Sequence, residues 1–180
     1  DKYANLRTGY TYMFGHSGKK LLFMGQEFGQ EREWSEEREL DWFLLQEPLN
    51  KGMQEYVKEL LNLYRKNPAM YEVDRDWSGF EWINCDDCDR SIYSFMRKSK
   101  DGKKKLLFVL NMTPIMRENF EVGVPTKKKC KLVLNSDEVR FGGNGNEIPA
   151  NITPTEEECD KLPYRIKFNL APFSAAVFEI

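Results

Sequence analysis

The stretch Gly18-Lys19-Lys20-Leu21-Leu22-Phe23-Met24-Gly25-Gln26-Glu27-Phe28 holds a short, wholly apolar run, residues 21–24, between two glycine breaks. A strand exposed on one face alternates apolar and polar side chains, whereas one buried on both faces is continuously apolar, as in a parallel sheet or barrel. The run therefore predicts a doubly buried strand. Gly25 ends it and puts Glu27 just past its C-terminal end. In (β/α) barrels that end carries the active site, so Glu27 becomes a candidate site residue. On the residues alone, the plainer reading of Glu27 is a carboxylate that caps a helix or pairs with Arg32.

Upstream, Tyr3, Leu6, Tyr10, Met13 and Phe14 recur at helical spacing and predict a helix over 1–14. Gly15-His16-Ser17-Gly18 breaks it. Downstream comes a polar loop with Trp34 and then Leu40-Asp41-Trp42. A second helix follows, with Met53, Tyr56, Val57, Leu60, Leu61 and Tyr64 on one face. Arg65 and Lys66 suit its C-terminal dipole end, and Pro68 stops it. Helix, buried strand, loop and helix make part of an α/β repeat.

Beyond Trp77 the period changes to two. Residues 80–84 pair with 91–96 across the turn Asp86-Asp87-Cys88-Asp89. Further strands are expected at 105–111, 118–122, 131–134, 164–170 and 175–180, separated by turn clusters such as Phe141-Gly142-Gly143-Asn144-Gly145-Asn146. Many short strands at this spacing predict a β-sandwich. The expected fold class is mixed. Residues 1–74 form the C-terminal end of a (β/α)8 barrel, and residues 75–180 form an all-β sandwich domain.

The 180 residues carry 27 basic and 29 acidic side chains, a net charge of −2. That balance argues against a nucleic-acid partner, which would require a basic face. A hydrophobic content of 41% supports a packed core. No apolar run approaches bilayer length, so no membrane partner is expected. Four cysteines in a chain this long read as reduced thiols of a cytoplasmic protein. The chain opens on Asp1 without a secretory signal and reads as a fragment.

The longer run from Gly18 through Gly29-Gln30, with Arg32-Glu33-Trp34 and Leu40-Asp41-Trp42, resembles the end of the catalytic barrel in bacterial-type 1,4-α-glucan (glycogen) branching enzymes of the α-amylase superfamily. Tyr3-Ala4-Asn5-Leu6-Arg7, Leu63-Tyr64-Arg65 with Pro68-Ala69, Gly79-Phe80-Glu81-Trp82 and Leu170-Ala171-Pro172-Phe173-Ser174-Ala175 fit the same family. Many relatives carry Asn and Ala where Gln26 and Gly29 stand here. The resemblance implies retaining transfer of an α-1,4 glucan segment to a 6-hydroxyl, with an α-glucan as partner and no cofactor or metal. Retaining chemistry needs two carboxyl groups about 5–5.5 Å apart. In the superfamily these come from strands four and five, and a third acid lies in a His-Asp motif ahead of the helix at 1–14. No His-Asp occurs here, and His16 is the sole histidine. The resemblance therefore implies that the catalytic carboxylates lie upstream of Asp1, that no catalytic residue lies in this chain, and that the chain alone is inactive. It assigns Glu27, Arg32, Trp34, Asp41 and Trp42 to the rim of the parent's active site. Trp34 is either a sugar-stacking platform or a loop anchor. Other readings are a glucan-binding module, resting on Trp34, Trp42, Trp77 and Trp82, or part of another α-amylase-superfamily hydrolase. Because residues 21–24 expect strand neighbours that the chain lacks, residues 1–45 are expected to self-associate or swap.

Weaker signals lead to plainer readings. Cys85-x-x-Cys88 lacks a second pair at ligand spacing, and the two read as incidental thiols. The lysine runs 103–105 and 127–129 border strands, where they blunt edges. The 141–146 run lacks the Lys and Ser/Thr of a phosphate loop and reads as a flexible sandwich loop.

Overall fold

A computed structural model describes residues 1–180. Two helices, α1 (Lys2–Gly15) and α2 (Pro48–Lys66), precede eight strands. These are β1 (Phe80–Asp87), β2 (Ile92–Lys98), β3 (Lys105–Asn111), β4 (Arg117–Val124), β5 (Cys130–Asn135), β6 (Asn151–Ile152), β7 (Tyr164–Leu170) and β8 (Ser174–Glu179). One antiparallel sheet runs β1-β2-β3-β8-β5-β6, and β4 and β7 pair in a second. The β-sandwich expected for the second half is present, and seven of its eight strands fall where the periodicity puts them. The two-residue β6 has no sequence signal of its own, being shorter than one alternation.

Alternation explains the layering. Along β3, Leu106, Phe108 and Leu110 point to one face and Leu107 and Val109 to the other, all buried. Along β8, Ala175 and Val177 join the first face, and Ala176 and Phe178 the second. The first face packs on Phe14 of α1 and on Met53, Tyr56, Val57, Leu60 and Leu63 of α2. The second packs on Phe120, Val122, Ile166, Phe168 and Leu170 of the β4–β7 pair. Three layers result, with two-sided burial confined to the central strands. Phe80, Phe95 and Phe108 stack in a row toward the helices, with centroids 5.0 and 4.9 Å apart. Gly15 ends α1 against that row, since a Cβ there would lie 2.7 Å from the Phe95 ring.

Two buried arginines tie the helical layer to the sheet. Arg97 of β2, 0% exposed, donates from Nε to Gly79 O (3.0 Å) and from Nη1 to Gly15 O (2.9 Å) and His16 O (3.2 Å). Its Nη2 reaches Met70 O (3.2 Å) and Asp74 Oδ1 (2.8 Å). Arg7 of α1 donates to Ser136 O (2.7 Å) and Phe141 O (2.8 Å). A buried guanidinium is sustained only when its donors are satisfied, and carbonyls do this here. Burial holds the Arg7 group below its ordinary pKa.

Three expectations are corrected. First, residues 21–24 form no strand. Leu21 is 74% and Met24 50% exposed, because a strand exists by pairing and no strand of the chain pairs with this run. Second, α1 buries Arg7, Thr8, Thr11, Phe14 and Gly15, and of its apolar stripe only Phe14 is fully covered. Tyr3, Leu6, Tyr10 and Met13 are only partly covered and line an open cleft of about 830 Å³ against residues 26–31. The polar side faces inward because Thr11 meets Tyr56 and Arg7 meets the 136–141 loop. Leu61 likewise lies off the buried face of α2 and is exposed. Third, the glycine-rich turn is pinned, since buried Asp137 accepts from Asn144 N (3.0 Å), Asn146 N (3.0 Å) and Asn146 Nδ2 (2.6 Å). No helix is long and apolar enough to cross a membrane.

Candidate functional site at the 20–47 loop

The loop between the helices is built around two left-handed glycines. Gly25 has φ 92° and Gly29 φ 69°, conformations in which a side chain is strained. They bracket a 3-10 turn, Gln26–Phe28, closed by Gln30 N donating to Gly25 O at 3.0 Å. Phe28 is fully buried and lies 5.1 Å from the Trp42 ring. Asn50 of α2 donates from Nδ2 to Phe28 O (2.9 Å) and Gly29 O (3.3 Å), fixing the turn to the helix.

Glu27 is half-buried, and its Oε2 accepts from Gly25 N at 3.1 Å. It does not pair with Arg32. Arg32 instead makes a two-pronged bond to Asp41, Nε to Oδ2 at 2.8 Å and Nη2 to Oδ1. Gln30 sits between them, donating to Arg32 O (2.9 Å) and accepting from Asp41 N (2.8 Å). The Arg32 bond holds the Asp41 carboxyl below the usual carboxylate range, and Asp41 raises the guanidinium in turn. Trp42 and Phe43 follow in a second 3-10 turn with much of their rings exposed. Trp34 is also exposed and meets Phe23 edge-on at 5.4 Å.

The loop thus brings Arg32, Asp41 and Trp42 to one place. Glu27 stands on the preceding turn and Trp34 on the arm between. Asp41 is already committed to Arg32, and no group of three or more His, Cys, Asp or Glu side chains is poised to hold a metal. The arrangement suits a binding wall with exposed rings and one half-free carboxylate. Sequence reasoning missed Gln30 and Asn50, whose amides brace the loop. Their signal was limited to position, one just after Gly29 and one in the first turn of α2.

Residues 82–180 match the family model described as Alpha amylase, C-terminal all-beta domain. The chain belongs to that family. Members of curated families align over more of it. The 1,4-alpha-glucan branching enzyme GlgB of Butyrivibrio fibrisolvens is 61% identical over 178 residues, 99% of this chain and 28% of the relative. GlgB of Halothermothrix orenii is 46% identical over the same shares. The chain therefore spans a little over a quarter of the length of these relatives. Among solved structures, AmyP in complex with maltose superposes with a TM-score of 0.65 at 14% identity, over 99% of this chain and 35% of that one. The alpha-amylase from H. orenii gives 0.60 at 19% identity, over 99% and 36%. At such identities these two structures speak to the fold alone.

Proposed function

We propose that this chain is the C-terminal part of a 1,4-α-glucan branching enzyme, which moves an α-1,4-linked segment onto a 6-hydroxyl with retention. The observation that carries this is a 61% identity running through both the helical segment and the sandwich. In this reading residues 1–74 complete a (β/α)8 barrel whose other strands and catalytic carboxylates belong to the remaining part of the parent. Residues 21–24 become a paired strand when those neighbours are supplied. The sandwich of residues 75–180 then buttresses the barrel through the helices, as Arg97 and Arg7 tie the two layers here.

At the rim, Glu27 steadies a neighbouring catalytic group, the Arg32–Asp41 pair stiffens the loop, and Trp34 and Trp42 offer rings for sugar CH faces. Glycogen-type transfer of this kind fits a cytoplasmic setting. The chain alone lacks the nucleophile and acid/base pair and leaves amylose unchanged.

The test joins this chain to the part of the B. fibrisolvens relative outside the aligned region. New α-1,6 linkages on amylose, seen by proton NMR and a fall in iodine staining, are expected from the joined protein and not from the 180-residue chain. A joined, folded protein that makes no α-1,6 linkage refutes the reading, and linkage formation by the chain alone refutes its inactivity.

A further inference from the structure

Lys20 stands at the root of the 20–47 loop, where the C-terminal ends of α1 and α2 meet the sheet. Its Nζ donates to His16 O, just past α1, and lies 5.8 Å from the centroid of the Tyr64 ring in the last turn of α2. Arg97 Nη1 donates to the same His16 O at 3.2 Å. Two cations therefore share one carbonyl oxygen. Arg97 is fully buried and Lys20 half-buried, so water screens their repulsion poorly.

The surrounding groups do not relieve this. Asp74 gives Oδ1 to Arg97 at 2.8 Å and forms no ion pair with Lys20. Lys19, the next charge acting on the amine, is a further cation. Tyr64 and the His16 carbonyl bring no negative charge. Lys104 shows the contrast, since it is exposed, bonded to Glu179 at 2.8 Å, and held above the ordinary lysine value. A lysine becomes a nucleophile through desolvation or through a second cation beside it, because both favour the neutral amine. Lys20 has both, and they bring its amino group down to about 8. At pH 7.5 about one Lys20 in four is then neutral, against about one in a thousand for an ordinary lysine.

We propose that Lys20 is a modification site, an amine set beside a buried guanidinium without a carboxylate of its own, that takes a small acyl group from an acyl phosphate. The local positive charge of Arg97 and Lys19 favours an anionic donor and an anionic leaving group, and an acyl phosphate has both. The neutral Nζ attacks the carbonyl carbon, a C–N bond forms, and the carbon–oxygen bond to phosphate breaks. Inorganic phosphate leaves, and one amine proton passes to it. The product amide keeps one N–H, enough for the bond to His16 O, and carries no charge. Acylation thus removes the repulsion from Arg97 and spares the hydrogen bond. None of this rests on the proposed function.

The experiment incubates the 180-residue chain with acetyl phosphate between pH 6.5 and 10 and follows each lysine by peptide mass spectrometry. At pH 7.5 Lys20 is expected to react at least about fivefold faster than the median lysine. Its rate should level off above about pH 8.5, whereas the rates at exposed Lys127, Lys128 and Lys129 keep climbing. Tyr64→Glu, which puts a carboxylate beside the amine, should slow Lys20 at pH 7.5 and leave those three unchanged. Where that variant does not fold, the wild-type pH profile decides alone. Brief acetylation should raise the Tm of wild type at pH 7 and not that of Lys20→Arg. The inference is overturned if Lys20 reacts at or below the median rate, if its rate climbs to pH 10 in step with the exposed lysines, or if acetylation lowers the Tm of wild type more than that of Lys20→Arg. A neutral acetyl ester serves as a separate arm, and equal selectivity for Lys20 from it would overturn the acyl phosphate as the preferred donor.

Discussion

At the scale of single residues, Arg97 matters most to the folded state. Its guanidinium is fully buried, and Asp74 Oδ2 beside it already has no hydrogen-bond partner. Arg97→Met leaves that carboxylate uncompensated and frees carbonyls at Gly15, Met70 and Gly79. Removing one partner of a buried pair costs about 3–5 kcal/mol. Urea unfolding should show a loss of this size, and a loss below about 1 kcal/mol would mean that water replaces the arginine. Lys20 behaves differently. Burial first, then repulsion from Arg97, pushes its amino group from the ordinary 10.5 down to about 8. A lysine lowered in the folded state is held charged at a cost below pH 8, and that cost disappears as pH climbs from about 8 to 10.5. Cys130 and Cys159, raised from 9 to about 11 by burial, pull stability the other way over pH 9–11. The comparison must therefore be with a variant. Lys20→Met should gain most on wild type at pH 7, and its advantage should shrink by pH 10 in matched denaturation curves. A constant difference would refute the effect. Neither Arg97 nor Arg7 was legible in the sequence, because a lone arginine in an alternating strand or on a helix reads as surface. Burial here comes from carbonyls supplied by distant segments.

At the scale of elements, periodicity carried far. Lys105–Asn111 and Tyr164–Leu170 appear with the expected ends, and α2 buries Met53, Tyr56, Val57 and Leu60 of the stripe its sequence displays. The failures are physical. Residues 21–24 have the composition of a doubly buried strand and no partner to pair with, so composition alone could not make the strand. Hydrogen exchange should find these amides unprotected in the 180-residue chain and protected in the joined protein. Protection in the chain alone would show pairing between copies. The spacing of the α1 stripe marked the helix correctly, but not which side is buried, because its polar side packs inward. For the candidate site, glycines and exposed rings marked the loop, whereas its bracing by Gln30 and Asn50 depended on contacts that spacing does not encode. Gly52 tests how tightly α2 seats on the glycine-rich turn. A Cβ there would lie 2.7 Å from the Phe141 carbonyl carbon. Alanine is the better helix former by about 1 kcal/mol, yet overpacking costs about 1–3 kcal/mol. Gly52→Ala should therefore be net destabilising by thermal melting, and a raised Tm would show that the turn yields.

At the scale of the molecule, exposed apolar surface gathers between the helices and in the first turn of α2. Leu21, Phe23, Met24, Trp42, Phe43 and Leu49 are all exposed, Phe43 at 62%. Large exposed patches of this kind mark interaction sites or association hazards. The isolated chain should self-associate in light scattering, and Leu21→Asp with Phe23→Asp should return it toward monomer. A wild-type chain that stays monomeric at every concentration would exclude this. The double substitution leaves the sandwich core untouched, because neither side chain belongs to it.

The bridges made by Arg97 and Arg7 also set where this molecule can be cut. The family's sequence module begins at residue 82, but the physical module does not. A polypeptide trimmed to 82–180 would keep Arg97 and lose Gly15, His16, Met70, Asp74 and Gly79, every partner that keeps its charge tolerable in the interior. The row Phe95–Phe108 would face water where the helices had been. Homology and cooperativity therefore draw different borders, and excision at the first would strand a cation and bare a hydrophobic face. A cut that keeps every contact of Arg97 and Arg7 must spare α1.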